Sequence, residues 1–184
     1  AAADLLLERG WTATTVDMIA TRAGVSSRTF FNYFPSKEDA ALGLRPLHVS
    51  VHASEAFRDG EGDLFERAVR LTLEVIRTAV PDDGLAERRS ELIRTVPELH
   101  PRLKNFSTTA GELIEPFLIE ELTAQAPNKE STQAISDSAI ALRMLAGTVV
   151  RFTFVKNPTA WSATATESLA SATQLFREVI QSPT

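Results

Sequence analysis

The residues best placed to do chemistry lie between Thr15 and Lys37. Ser27, Arg28, Phe31 and Asn32 fall on one side of a short helical segment. Arg28 can donate two hydrogen bonds to a guanine edge, and Asn32 can pair with an adenine edge. Ser27 can reach either a base or a phosphate. Tyr33 and Lys37, just beyond, can bind backbone oxygens and so set a register along a duplex. Lys37 also falls in the first turn of the next helix, whose free amides favour a phosphate, and Thr15 has the same place in the preceding helix. This is the chemistry of a surface that enters a major groove.

Net charge alone argues against a polyanionic partner, because 19 Lys and Arg against 24 Asp and Glu leave −5. The distribution is uneven. Residues 1–45 carry five basic and five acidic groups and are neutral, so the remaining 139 hold the whole excess. From Thr21 to Lys37 there are three basic residues and no acid, which suits a surface facing phosphates.

The elements that must hold these side chains read as helices throughout. A helix from Ala1 to Glu8 stops at Gly10, a residue suited to a left-handed cap. Thr14-Thr15 opens a second helix, with Asp17 three residues after Thr14 as capping partner, and it stops at Gly24. Ser26 caps a third that ends near Tyr33-Phe34-Pro35. Ser36, followed three residues later by Asp39, starts a fourth, which Pro46 should kink or interrupt. Helix, short turn and helix make a helix-turn-helix. Ala20 allows close approach of the two helices, Gly24 supplies the positive φ of the turn, and Ile19, Val25 and Phe30 are expected to close the core between them.

Beyond the Gly60-Glu61-Gly62 connector, helices are expected over Asp63–Val80, Leu85–Val96, Leu99–Ala126 with a bend at Pro116, Asn128–Val155 and Thr159–Ile180. Pro81-Asp82-Asp83-Gly84 reads as a turn. The total is about nine helices and no strand, an all-α chain. We expect a helix-turn-helix module over residues 1–45 and a helical bundle over 46–184.

The run from Trp11 through Thr15-Val-Asp-Met-Ile-Ala-Thr-Arg-Ala-Gly-Val-Ser-Ser-Arg-Thr-Phe-Phe-Asn-Tyr-Phe34 to Pro35-Ser-Lys-Glu-Asp39 resembles the DNA-binding signature of the tetracycline-repressor (TetR) family of bacterial transcriptional regulators. The resemblance covers about the first 45 residues. It implies double-stranded DNA as partner, contacted by Thr15, Ser26, Ser27, Arg28, Phe31, Asn32, Tyr33 and Lys37. It also implies that the remaining helices bind a small-molecule effector and dimerise, with ligand releasing a repressor from a palindromic operator. Phe31 stands where the family usually has tyrosine, which leaves it to pack against a base methyl or a sugar. Family members also carry several residues ahead of the position of Ala1, often basic ones.

In the bundle, Trp161, Leu169, Ala172, Phe176 and Val179 form an apolar stripe at spacings of a helical face. The segment before it, Ile140–Val155, is apolar on nearly every side. The two are expected to pair with their twofold mates in a four-helix homodimer interface. A ligand pocket is expected among Phe65, Ile76, Phe106, Phe117 and Phe152, with Phe154 beside them and Arg70, Arg77, Arg143 or Arg151 as a polar anchor.

Other chemistries find less support. The chain has no cysteine, so disulfides and thiolate metal sites are excluded. No apolar run approaches the roughly 18 residues of a membrane span, and a soluble cytoplasmic protein without cofactor or metal is expected. No Gly-rich phosphate loop, Gly-x-Ser-x-Gly elbow or Ser/His/Asp triad appears, so no enzyme is expected. Two alternatives stay open: a metal-dependent helical hydrolase using His48, His52 and Glu55 at helical spacing, and a helical interaction protein that does not bind DNA.

Overall fold

The computed structural model describes residues 1–80, 84–126, 131–157 and 165–181. Among the described residues the chain forms ten α-helices, one short 3-10 turn and no strand. They are α1 (Ala2–Arg9), α2 (Val16–Arg22), α3 (Ser27–Tyr33), α4 (Lys37–Leu42), α5 (Val51–Asp59), α6 (Leu64–Ala79), α7 (Ala86–Thr95), α8 (His100–Gln125), α9 (Thr132–Lys156) and α10 (Ala165–Gln181), with the 3-10 turn at Pro97–Leu99.

The expected fourth helix becomes two. The break lies at Gly43, whose left-handed conformation (φ 65°, ψ 27°) caps α4 three residues ahead of Pro46. Ser50 then accepts the Ala53 amide at 3.1 Å and starts α5. Pro116 sits inside α8, which runs on through it. The Pro81-Asp82-Asp83 part of the expected turn lies outside the described residues.

These helices make two compact units, one of Ala1–Pro46 with Ala79–Phe106 and one of Leu47–Thr78 with Ser107–Thr184. The unit containing the helix-turn-helix thus takes in α7, the 3-10 turn and the first turns of α8, a stretch that sequence reading assigned to the bundle.

The first unit is built on a small apolar core of Leu5, Leu6, Ile19, Ala20, Phe30, Leu42, Leu92 and Leu99. Polar bonds between residues distant in sequence reinforce it. Asp39, buried at the start of α4, accepts the Ser36 hydroxyl at 2.7 Å and the Arg102 guanidinium at 2.6–2.8 Å. At the other end of α4, buried Arg89 donates its Nε–H to the Leu42 carbonyl at 2.8 Å. Each end of a six-residue helix is thus held by an arginine from more than forty positions away.

The second unit buries an apolar interior along α6, α8, α9 and α10, with Leu71, Val75, Ile114, Leu118, Val149 and Leu169 in its core. Its buried threonines, Thr72, Thr153 and Thr173, return their hydroxyls to the carbonyl one turn back. Phe152 and Phe176 meet edge to face at 5.5 Å between α9 and α10. By length and composition alone α9 is apolar enough to cross a membrane, whereas the sequence reading found no apolar run near that length. It is a bundle helix here, packed on α10, with Arg143 paired to Glu115 at 2.6 Å.

Candidate nucleic-acid interface

Local rules account for the helix-turn-helix almost residue by residue. Thr15 is the cap of α2, its hydroxyl accepting the Met18 amide at 3.3 Å. Thr14 is instead buried, and its hydroxyl donates to the Gly10 and Leu5 carbonyls. Gly10 has positive φ (79°), but its ψ of 173° is extended, so α1 does not end in the expected left-handed cap. At the far end of α2 the Val25 amide reaches back to the Ala20 carbonyl at 3.0 Å, and the Gly24 amide to that of Thr21 at 3.1 Å. This paired closure is a Schellman motif, and it requires the positive φ of Gly24 (71°). The same turn swings Val25 outward. It is 40% exposed, whereas Ile19, Ala20 and Phe30 are buried.

Ser26 caps α3, accepting the Thr29 amide at 3.0 Å and sharing a hydrogen bond with the Thr29 hydroxyl at 2.8 Å. Its oxygen therefore belongs to the protein's own backbone. Phe30 anchors the inner face of α3, with Phe31 against its edge at 5.3 Å and Phe34 at 6.0 Å. With that side fixed, Arg28, Phe31, Asn32 and Tyr33 are exposed, Phe31 by 55% and Tyr33 by 73%. Arg28 makes no ion pair among the described residues. Its neighbour Arg22, by contrast, is held by Glu8 through two hydrogen bonds of 2.5 and 2.7 Å, which pin α2 to α1. That contact lowers the Glu8 carboxyl below its ordinary value, against a smaller desolvation in the other direction, and raises Arg22 further.

Two side chains behave differently from the sequence reading. Lys37 is turned inward: its ammonium donates to the Trp11 and Thr14 carbonyls at 3.1 and 3.2 Å and lies 3.8 Å from the centre of the Trp11 ring. It closes the loop leading into Thr15 rather than standing free. Ser27, expected to reach a base or a phosphate, is half-buried, and its hydroxyl donates to Asp17 Oδ1 at 2.5 Å. Asp17, expected as a capping partner, is thus a neighbour of the outer face of α3. Sequence reasoning missed it in this place, and missed Arg89 and Arg102 as the holders of α4.

The features expected in the bundle are less gathered. Phe106 is buried in the first unit, whereas Phe65, Ile76, Phe117 and Phe152 belong to the second. Phe117 packs edge-on against Phe57 at 6.2 Å, and Phe152 against Phe176. Two open cavities, of about 380 and 460 Å³, lie in the first unit, and none of the five residues lines either. The buried cation of the second unit is one the sequence reading left out: Arg67 donates to the Phe57 carbonyl at 3.0 Å and pairs with Glu121 at 2.7 Å. Arg70 is tied to the Glu61 carbonyl, Arg77 to Glu74 and Arg143 to Glu115.

For the expected dimer stripe, Leu169 and Ala172 are buried within the chain itself, and Phe176 is half-buried on Phe152. Leu169 and Ala172 thus turn toward the chain's own interior, where α10 packs on α9. Val179 is 67% exposed, and Trp161 lies outside the described residues. The apolar side chains open to solvent on the two helices are Met144, Leu145, Val155, Leu175, Val179 and Ile180. His48 precedes the Ser50 cap, so it is not on α5 and shares no helical face with His52 and Glu55. No group of three His, Asp or Glu suited to a metal occurs among the described residues.

Residues 1–41 match the family model for bacterial regulatory proteins, tetR family. The segment matched holds α1 to α3 and nearly all of α4. No curated protein matches the chain.

Proposed function

The chain belongs by its amino-terminal module to the TetR family, the DNA-binding transcriptional regulators of bacteria, and from that premise we propose that it is a homodimeric cytoplasmic repressor released by a small molecule. The observation that carries the DNA-reading part is the outer face of α3. Arg28 and Asn32 are exposed there without a partner among the described residues, on a helix whose opposite side is locked by Phe30 and whose ends are capped. Arg28 reads a guanine edge and Asn32 an adenine edge. Phe31 packs on a thymine methyl or a sugar, and Thr15 and Tyr33 hold the phosphates on either side. Ser26 and Lys37 support this surface from behind.

Dimerisation is supported by what the second unit leaves uncovered. Only 28% of the most apolar stretch of α9 is buried within the chain. Exposed Met144 and Val155 on α9, with Leu175, Val179 and Ile180 on α10, are the apolar surface that a second copy would cover. Two copies place two α3 helices about one turn of DNA apart, the arrangement that reads a palindrome. A small molecule held near Phe65, Ile76, Phe117 and Phe152 would then shift the pair between a DNA-competent and an incompetent arrangement. The shift is limited to its difference in affinity for the two.

The test is selection of a duplex from a random-sequence pool, followed by binding of the enriched sequence. Arg28→Ala should weaken that binding by about 1–3 kcal/mol and relax preference at one base pair in each half-site. Enrichment of no sequence, or of a site without twofold symmetry, would sink the reading. Val179→Asp together with Ile180→Asp should leave a folded monomer with markedly weaker DNA affinity, as measured by sedimentation and titration.

A further inference from the structure

Asp17, on the first turn of α2, is exposed and takes a hydrogen bond from the Ser27 hydroxyl at 2.5 Å, the short end of the range for a hydroxyl on a charged oxygen. Ser27 is the first residue of α3, the end of a recognition helix that meets base edges.

A serine hydroxyl has one proton to give and two lone pairs to offer, whereas an ionised carboxylate can only accept. While Asp17 is ionised, the proton of Ser27 has one direction to go. What Ser27 can still present outward is an acceptor. A phosphate or a guanine edge, which are acceptors themselves, would have to take the proton away from Asp17 and leave that carboxylate unpaired beside a polyanion. An exocyclic amino group makes no such demand.

We propose that Asp17 determines specificity by fixing the polarity of Ser27, so that Ser27 accepts from the amino group of adenine or cytosine and disfavours guanine or thymine on the strand it touches. The proposal rests on the DNA-reading function above. It also explains a carboxylate at the edge of an otherwise acid-free surface: Thr21 to Lys37 carries none.

The experiment is parallel selection from one random-sequence duplex pool with the wild type, Ser27→Ala, Asp17→Ala and Asp17→Asn. Asp17 is exposed and Ser27 half-buried, so folding is expected to survive each change, and circular dichroism checks it. The position at which Ser27→Ala loses its preference identifies the base pair touched by Ser27. There the wild type should favour adenine or cytosine by roughly three- to ten-fold, the range of one neutral hydrogen bond.

Asp17→Ala frees the Ser27 proton and should reduce that preference to within about two-fold, on top of any uniform gain in affinity from losing a negative charge. Asp17→Asn keeps a carbonyl acceptor and should retain much of the preference. The guanine preference set by Arg28 should not move in any of the four.

Three results would overturn the proposal: a wild-type preference for guanine or thymine at that position, an unchanged preference in Asp17→Ala, or an Asp17→Ala effect that is uniform over all sequences. If the wild type enriches no sequence at all, it is the DNA-reading function itself that fails. The two failures are thus distinguishable.

Discussion

The two compact units hold themselves together by different means. In the first, short helices of six to ten residues are fixed by directional bonds between groups distant in sequence: Lys37 on the Trp11 and Thr14 carbonyls, Arg102 on Asp39, Arg89 on the Leu42 carbonyl. In the second, helices of up to 25 residues pack mainly through apolar side chains and return the buried threonine hydroxyls to their own backbone, the buried Arg67–Glu121 pair being the exception. Hydrogen bonds fix position and angle, whereas apolar contact is non-directional and tolerates alternative packing. A face proposed to present Arg28 and Asn32 to particular base edges needs the first kind of order. A bundle proposed to accommodate a second copy or a small molecule can use the second kind.

The largest effect expected on this comparison comes from Leu118→Ala. Leu118 is fully buried on α8, and its truncation should destabilise the second unit by about 3–4 kcal/mol. Hydrogen exchange read amide by amide should show lost protection over residues 107–157, with α2 to α4 nearly unchanged. Equal loss throughout would mean that the two units unfold as one and that their separate character has no energetic content.

Arg102→Ala comes next, at about 2–3 kcal/mol. It removes the cation from a buried carboxylate, discounted because the arginine is itself partly exposed. The expected pattern of exchange is the reverse of the previous one: α4 and the loop from Trp11 to Thr15 lose protection first. Because Lys37 rides on α4, the environment of Trp11 should change as well, visible as a shift of its fluorescence in a Trp161→Phe background. An unmoved Trp11 signal would show that the clamp on α4 does not govern the reading head. Asp39→Ala should reproduce the effect if the ion pair is its cause.

What could be read from the chain follows the same division. Thr15, Ser26 and Ser36 accept amides three positions on, and the Gly24 amide donates to a carbonyl three positions back, so their places were legible from spacing alone. Phe30 and Ala20 were legible for the same reason. Val25 was misplaced because its outward turn follows from the Schellman geometry rather than from hydrophobic period. The break in the fourth helix was assigned to Pro46 because proline is the stronger signal, yet Gly43 had already ended α4. The partners of Lys37, Asp39 and Leu42 were out of reach, since nothing local indicates that residues 89 and 102 return to α4. In the bundle, the stripe at Leu169, Ala172 and Phe176 was read as a face that a second copy covers. A stripe does not say what buries it, and α9 of the same chain does so here.

The smallest expected effect, and the finest test of the comparison, is the response to acid. Glu8 in the first unit and Glu121 in the second both have carboxyl values held below the ordinary 4.5, first by hydrogen bonds from Arg22 and Arg67 respectively. A group whose folded value is depressed contributes its stabilisation fully above the unfolded value and loses it as pH falls through the folded one. Both contributions should therefore hold near neutrality and fade below about pH 4.5. Their sizes should differ. Glu8 and Arg22 are open to solvent, with side chains 50% and 42% exposed, and water screens the pair. Arg67 is only 8% exposed, so protonating Glu121 leaves a buried guanidinium without its charged partner. Acid should loosen the second unit ahead of the first. Glu121→Gln should lower urea midpoints near neutrality and flatten their dependence on pH below 4.5, whereas Glu8→Gln should change both only slightly. Equal flattening by the two variants would show that burial does not separate these ion pairs.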